Sequence, residues 1–192
     1  QRLSADELQV HEARVRGQGF PNYRVWPRDP PRPFYSAIVF LEPFNWRNRR
    51  AFGFDMLSEP TRRQAMLRAR DAGLGALSGK VHLVQETAKD VQAGVLLYLP
   101  VYAGGAEPET LEARRERLEG WVYGVFRMED LIRGIFGGTP RHVRLAIYDG
   151  DGTGPQDLLY RSGPAPADTL HDVSQVEIAG RTWTVRVSAL PA

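Results

Sequence analysis

Residues 40–79 place the strongest constraint on how this chain can fold. An apolar stretch leads into a charged loop at residues 45–51 and then into Phe52-Gly53-Phe54-Asp55-Met56, where one carboxylate stands among apolar residues. A helix is predicted next, with Ser58 as its N-cap, Pro60 in its first turn and Gly73 at its end. Its inner face is narrow enough to pack closely against a sheet and consists of Ala65, Met66, Ala69 and Ala72.

The rest of the first half alternates between helices and short strands. Ser4 and Glu7 have the spacing of a capping box, which predicts a helix that ends at Gly17. Five prolines favour an extended segment at residues 20–33. Strands are predicted at residues 35–41, 81–86, 94–102 and 120–126, with a polar loop at 87–93 and a helix at 110–118. We expect an antiparallel meander with helices on one side.

The pattern starts again in the second half, which indicates a second lobe. A helix is predicted at residues 128–136, and it should break at Gly137-Gly138-Thr139-Pro140. Four short strands are predicted at residues 142–148, 157–161, 175–179 and 182–189, the last two joined by a turn at Gly180. The predicted fold class is α+β, with lobes at residues 1–127 and 128–192, each a small antiparallel sheet flanked by helices.

Composition excludes several classes of protein. The chain has 23 arginines and 2 lysines against 23 acidic residues, a net charge of +2, and no segment concentrates like charges as nucleic-acid-binding tails do. We therefore expect solvated arginine-rich faces and no nucleic-acid partner. The chain has no cysteine, which excludes disulfides, thiolate metal ligands and a thiol nucleophile. No apolar run approaches the ~20 residues of a membrane span.

No motif marks a metal site, a cofactor or catalysis. Residues 149–154, Asp-Gly-Asp-Gly-Thr-Gly, resemble the start of a calcium loop, but Tyr160 stands where the last carboxylate belongs, which favours a tight turn. The histidines lack ligand spacing, and neither a Walker lysine nor a Gly-x-Ser-x-Gly elbow is present. The sequence therefore predicts a protein that is not an enzyme and that holds no metal or cofactor.

Asp55 is the leading candidate for a functional residue. An unpaired charge on an apolar wall is costly, so this carboxylate needs partners that donate hydrogen bonds. A planar nitrogenous ligand is one such partner. Backbone amides near Ser58 are the other, in which case Asp55 caps the start of the following helix.

An ordered set of motifs resembles the CHASE domain, the extracytoplasmic sensor of receptor kinases and nucleotide cyclases, including plant cytokinin receptors. The set covers about residues 34–135 and comprises Leu-Glu-Pro, Asn-x-x-Ala, Gly-Phe-Asp-Met-Leu-Ser, Glu-Pro-Thr-Arg-Arg, Ala-Arg-Asp-Ala-Gly, Ala-Leu-Ser-Gly, Leu-Pro-Val-Tyr and Gly-Trp-Val-Tyr. The resemblance implies two PAS-like lobes, with the ligand bound in the membrane-distal first lobe.

The resemblance also implies a set of ligand-binding residues. In cytokinin-binding members, an Asp at the position of Asp55 recognises the edge of the adenine ring, and Leu77 would offer its backbone to the same ring. The other implied pocket residues are Phe52, Phe54, Thr87, Gly94, Tyr98, Leu99, Trp121 and Phe126. The bulky basic residues 46–50 depart from plant members; they would narrow the cavity, favour an anionic ligand, or form a solvated loop.

We therefore expect a periplasmic small-molecule sensor of an inner-membrane histidine kinase or diguanylate cyclase. Its ligand would be adenine-like or another small amphiphile, and the receptor would be a homodimer tethered by membrane segments outside this sequence. The alternative is a ligand-free interaction module that signals through a partner protein or dimer contacts.

Overall fold

The computed structural model describes residues 1–84, 91–139, 143–164 and 170–190. Two short 3-10 segments, Asn48–Ala51 and Met56–Ser58, precede the second helix. The described residues also form ten strands and four helices. In chain order these are β1 (Arg2–Ser4), α1 (Leu8–Gly17), β2 (Phe34–Ser36), α2 (Pro60–Ala72), β3 (Ala76–Leu77), β4 (Val81–His82), β5 (Ala93–Tyr102), α3 (Leu111–Arg117), β6 (Leu118–Arg127), α4 (Met128–Phe136), β7 (Val143–Asp149), β8 (Leu158–Arg161), β9 (His171–Ile178) and β10 (Arg181–Ala189).

The sheets are antiparallel, as predicted for an α+β fold. In the first half, β5 is the central strand: β6 pairs along one edge, while on the other edge β4 pairs with the start of β5 and β3 with its middle. Between β3 and β4, the hydroxyl of Ser78 accepts from the backbone N–H of Leu96 at 2.9 Å, so a side chain continues the pairing. The second half forms a four-stranded sheet in the order β8-β7-β10-β9, and β1 pairs with β2.

Strand β5 divides two hydrophobic cores because its side chains alternate between the two faces of the sheet. Leu96 and Tyr98 belong to the first core, together with the inner face of α2. Val95 and Leu97 face the second core, which α4 shares with the second sheet. The predicted narrow face of α2 is confirmed for Ala65, Met66 and Ala69, which are buried, whereas Ala72 is exposed.

Most predicted elements are present, and two predictions about residues 35–58 are wrong. The strand predicted at residues 35–41 ends at Ser36, because Ile38 instead bonds with Gly53 and Phe54 through the backbone, which leaves Phe40 90% exposed. Ser58 does not cap α2, since its hydroxyl donates to the carbonyl of Asp55 at 2.6 Å. Glu59 is the N-cap and accepts from the N–H groups of Thr61 and Arg62, each at 2.9 Å.

The capping box at the first helix is half formed. The Glu7 carboxylate accepts from the backbone N–H of Ser4 at 2.7 Å, as the motif requires. The Ser4 hydroxyl also donates to that carboxylate, at 2.9 Å, and so it does not accept from the helix. Helix α1 ends at Gly17, as predicted, but it begins at Leu8 with Glu7 as its N-cap, so the prediction of Ser4 as the N-cap is wrong.

Candidate ligand-binding site

A cavity of about 590 Å³ opens between strand β6 and the chain segment that follows β2. We call it the sensor cavity. It is lined by Gln1, Ser36, Ala37, Ile38, Val39, Phe40, Leu41, Glu42, Pro43, Arg47, Asn48, Met56, Met66, Leu83, Tyr98, Trp121, Val122, Tyr123, Gly124, Val125 and Arg127. Most of this lining is apolar, and exposed Phe40 and Val122 lie where the cavity opens to solvent.

The floor of the sensor cavity comes from three elements that meet in the first core. Tyr98 from β5, Met66 from α2 and Met56 from the second 3-10 segment are all buried. The Tyr98 hydroxyl is directed at the sulfur of Met56, 4.0 Å away. Because thioethers and aromatic rings are polarizable and adaptable, this floor suits the apolar body of a ligand.

Strand β6 supplies one wall through residues 121–125. Trp121, Tyr123 and Val125 share a face of the strand. The Trp121 indole N–H donates to the carbonyl of Met66 at 2.9 Å, which fixes its ring against α2. The rings of Tyr98 and Tyr123 lie 5.9 Å apart at an interplanar angle of 38°. The wall is therefore largely pre-formed.

The phenol of Tyr123 is the least satisfied polar group of this wall. Its hydroxyl oxygen is buried and has no hydrogen-bond partner in the described part of the chain. Burial raises the pKa of Tyr123 to about 12, so the phenol keeps its proton at neutral pH and can donate it. A buried hydroxyl without a partner costs about 1–3 kcal/mol, which a hydrogen-bonded acceptor would remove.

A cation lies behind Tyr123. The buried guanidinium of Arg62 donates to the carbonyl of His82 at 2.7 Å, and its Nε is buried without a partner among the described residues. Arg62 and Tyr123 line a recess of about 10 Å³ that shares Ile38, Met56 and Leu83 with the sensor cavity. This guanidinium also forms an ion pair with Glu59, with 3.5 Å between Arg62 Nη1 and Glu59 Oε2.

The opposite wall carries a second cation, Arg47. Its Nε is buried and unpartnered, and its side chain makes no ion pair within the described ranges. The neighbouring Asn48 is held by a 2.9 Å hydrogen bond from its side-chain nitrogen to the carbonyl of Pro43. Glu42 is the acidic residue of the lining, and it is exposed.

The structure places Asp55 behind the cavity wall, where it is fully buried and is not one of the lining residues given above. Its Oδ2 accepts from Arg32 Nη2 at 2.8 Å and Nε at 3.2 Å. Its Oδ1 accepts from the N–H groups of Ser36 at 2.7 Å and Leu57 at 3.1 Å. Through the Leu57 N–H, Asp55 caps the 3-10 segment Met56–Ser58, whereas the N-cap of α2 is Glu59.

Gly53 brings two extended segments together beside Asp55. Its φ angle is +80°, which favours glycine, and an added Cβ would lie 2.1 Å from the carbonyl oxygen of Arg24. This close approach lets Trp26 donate its N–H to Gly53 at 3.0 Å and accept from the N–H of Asp55. The Phe-Gly-Phe-Asp motif therefore builds the support of the wall.

Of the other implied pocket residues, only Tyr98 and Trp121 line the sensor cavity. Leu77 and Phe126 pack in the second core, and Phe54 packs in the first. Phe52 lies on a separate groove, Leu99 is half exposed, and Thr87 lies outside the described residues. Gly94 allows the Leu83 side chain to pack closely against β5, since a Cβ added at Gly94 would lie 2.5 Å from Leu83 Cγ.

Sequence reasoning missed several lining residues. Tyr123 and Val125 follow Trp121 at the two-residue spacing of a strand face, so that period could have identified them. Met66 was assigned to the helix core, and its position opposite Trp121 depends on tertiary packing. No feature of the sequence distinguishes Arg47 from its neighbours Arg49 and Arg50, which do not line the sensor cavity.

The described residues contain no cluster of three or more His, Cys, Asp or Glu side chains that could hold a metal. Asp149, at the start of the calcium-like sequence, instead bonds with Arg181 through both oxygens at 2.7 Å. It also accepts from the N–H of Lys80 at 2.8 Å. Residues 150–157 connect β7 to β8, with a turn in which Asp157 N–H donates to Gly154.

The model of the CHASE domain family matches residues 1–160 of the 192-residue chain. None of the helices in the described part of the chain has the length and apolar character needed to cross a membrane.

Proposed function

This chain belongs to the CHASE family, whose members are extracellular sensor domains of signalling receptors, and on that premise we propose that its sensor cavity binds a small molecule. The family's role is sensing rather than catalysis. The observation that carries the proposal is a cavity of about 590 Å³ in the matched region, because ligand sites usually measure about 300–1,000 Å³.

The lining supports an amphiphilic ligand. Met56, Met66 and Trp121 offer an apolar bed, while Tyr123 and Arg47 offer hydrogen-bond donors without protein partners in the described chain. Because a buried donor that finds no acceptor is costly, these groups favour ligands with an acceptor or a negative charge. The adenine-like ligand expected from the resemblance has ring acceptors, and an aromatic carboxylate has a charged one.

Asp55 takes a different part in this proposal from the one implied by the resemblance. Its four hydrogen bonds come from Arg32, Ser36 and Leu57. We assign it to holding the wall from which Ser36 and Met56 line the cavity. Donor groups of the ligand would then have to find acceptors other than Asp55.

The signalling role follows from linkage between two conformations. A ligand shifts such an equilibrium only by binding one state more tightly than the other. The sensor cavity is bordered by β6, which runs directly into α4, and α4 packs against the second sheet. We propose that ligand binding moves the second lobe through this connection, in a membrane-tethered homodimeric histidine kinase or diguanylate cyclase.

Isothermal titration calorimetry tests the ligand site. The probes are adenine, N6-isopentenyladenine and indole-3-acetate. Val125 is an exposed residue of β6 that lines the cavity, so Val125→Trp should obstruct the cavity. The variant should weaken the binding of any probe that binds the wild type by at least about tenfold, or about 1.4 kcal/mol. Glu119→Trp, on an exposed position of the same strand outside the lining, is the matched control and should bind like the wild type.

Two results would count against the proposal. One is the absence of saturable heat with every probe. The other is a probe that binds Val125→Trp as tightly as the wild type. Either result would favour the ligand-free interaction module. That alternative requires the pocket of the first half to be filled by the protein's own side chains.

A further inference from the structure

A second concave site lies on the other side of the segment that carries Arg47. This groove has a volume of about 490 Å³. We call it the arginine groove. It is lined by Gly19, Phe20, Pro21, Asn22, Tyr23, Arg24, Trp26, Phe44, Arg49, Arg50 and Phe52.

Aromatic rings form the body of the arginine groove. Phe52 is the centre of the cluster, with its ring centroid 5.0 Å from that of Phe20, 4.7 Å from Tyr23 and 5.4 Å from Phe44. These contacts are edge-to-face, an arrangement that leaves ring faces and edges available to a further ring. The groove can therefore receive an aromatic group.

Three guanidinium groups surround this aromatic floor. Arg24, Arg49 and Arg50 are exposed, and none forms an ion pair or a side-chain hydrogen bond within the described ranges. The lining contains no Asp or Glu. By contrast, the exposed residues Arg28, Arg115 and Arg133 each have a carboxylate partner.

Arginine left without a carboxylate beside aromatic rings has a specific chemical use. Its planar guanidinium binds phosphate and carboxylate groups through two parallel hydrogen bonds and also stacks on rings. Arg49 already lies over the ring of Phe44, with 5.5 Å from its Cζ to the ring centroid. Arg24, Arg49 and Arg50 line the same groove, and three guanidinium groups balance the charge of a doubly charged anion better than one does.

We propose that the arginine groove binds a small anion that carries an aromatic ring, with the anion held by Arg24, Arg49 and Arg50 and the ring held by the phenylalanine cluster. This site is separate from the sensor cavity, because the two linings share no residue. It gives the domain a second ligand that the proposed sensor function does not require.

Two tryptophans allow each site to be observed separately by NMR. Trp26 lines the arginine groove and Trp121 lines the sensor cavity. The indole N–H signals of the 15N-labelled protein are followed during titration with phenyl phosphate, inorganic phosphate and benzyl alcohol. Phenyl phosphate should shift the Trp26 signal in a saturable manner, with a dissociation constant at least about tenfold below that of either partial probe.

The charged residues are tested with matched variants. Arg49→Gln/Arg50→Gln should raise the dissociation constant for phenyl phosphate by at least about tenfold. Arg133→Gln removes an exposed arginine of the second half and should leave binding unchanged. Thermal unfolding of each variant establishes that it is folded under the titration conditions.

Three outcomes would overturn the proposal. The Trp26 signal could stay unchanged with phenyl phosphate, or inorganic phosphate could bind as tightly as phenyl phosphate, which would exclude a role for the rings. The shift could also occur at Trp121 instead, which would place the anion in the sensor cavity and leave the proposed sensor function standing.

Discussion

Asp55 and Arg32 form the buried ion pair that supports the wall of the sensor cavity. The carboxylate is fully buried and the Arg32 side chain is 14% exposed. Asp55→Ala should lower the free energy of unfolding by about 3–5 kcal/mol, because it leaves a guanidinium and two backbone N–H groups without their acceptor. Urea denaturation at pH 7 measures the change.

The control for this experiment is the double variant Asp55→Ala/Arg32→Met. Removing both charges should restore part of the lost stability, since an apolar replacement of a buried pair is often close to neutral. An unchanged urea midpoint in Asp55→Ala would show that the carboxylate does not stabilise the fold. Asp55 would then again be a candidate for contact with the ligand.

His11 should make stability depend on pH. Its Nδ1 accepts from Arg14 at 3.2 Å, so its Nε2 carries the proton that is donated to the Tyr23 hydroxyl at 2.9 Å. Burial, and then the charge of Arg14, lower the pKa of His11, outweighing the opposite effects of Glu12 and Glu7. The folded protein therefore binds this proton less readily than the unfolded chain does.

The free energy of unfolding should accordingly fall as the pH drops below about 6.5, the pKa of an unperturbed histidine. Between pH 7.5 and 5.5 the loss from His11 is at most about 1.4 kcal/mol. Urea denaturation at the two pH values compares the wild type with His11→Gln, in which this titration is absent. Equal losses in the two proteins would contradict the assignment.

At the scale of single residues, the sequence marks Asp55 as a carboxylate that needs partners but does not identify those partners. Asp55 stands out because one carboxylate among Phe52, Phe54, Met56 and Leu57 must be satisfied. Its partner Arg32 lies 23 residues earlier in a proline-rich segment, and no local pattern connects the two. Tertiary pairing of this kind is decided by packing, which sequence spacing does not report.

Helix α2 shows which features of an element are local. Pro60 and Gly73 mark its ends, and the structure confirms both, with Gly73 in the left-handed conformation at φ +72°. The sequence predicts Ser58 as the N-cap because serine is among the preferred cap residues. In the structure the Ser58 hydroxyl instead donates a hydrogen bond to the carbonyl of Asp55.

Glu59→Ala should therefore destabilise the protein by about 1 kcal/mol, the usual value of a lost N-cap. Ser58→Ala should cost less, because it removes one hydrogen bond at a partly buried position and leaves the helix cap in place. Urea midpoints of the two variants provide the comparison. A larger loss in Ser58→Ala would show that serine is the functional cap.

The sequence predicts the bounds of β5 and β6 well and those of β2 poorly. Strands β5 and β6 lie within about a residue or two of their expected bounds. The apolar run at residues 35–41 predicts one buried strand, yet Phe40 is exposed and lines a cavity. Apolar character indicates that a surface is removed from water, but a binding site exposes such residues as well.

Across the whole molecule, the second core joins the two halves. Met128 is fully buried and packs in one cluster with Leu77 and Val95 of the first sheet and with Leu145 and Trp183 of the second half. The N–H of Leu77 also donates to Ala179 at 3.1 Å. We therefore expect the lobes at residues 1–127 and 128–192 to unfold together.

Met128→Ala should lower the free energy of unfolding by about 2–5 kcal/mol, because it leaves a cavity in this shared core. The indole NMR signals of Trp121 and Trp183, which report on the first and the second core, should disappear at the same urea concentration in both wild type and variant. Two separate transitions in the wild type would instead show independent lobes.

The central claim is that the sensor cavity is the ligand site, and a crystal structure of the protein with its best calorimetric ligand tests it most directly. The account predicts density for the ligand against Tyr98, Trp121 and Tyr123, with its acceptor or anionic group directed to Tyr123 or Arg47. Ligand density at any other place, with the sensor cavity unoccupied in the same crystal, would contradict it.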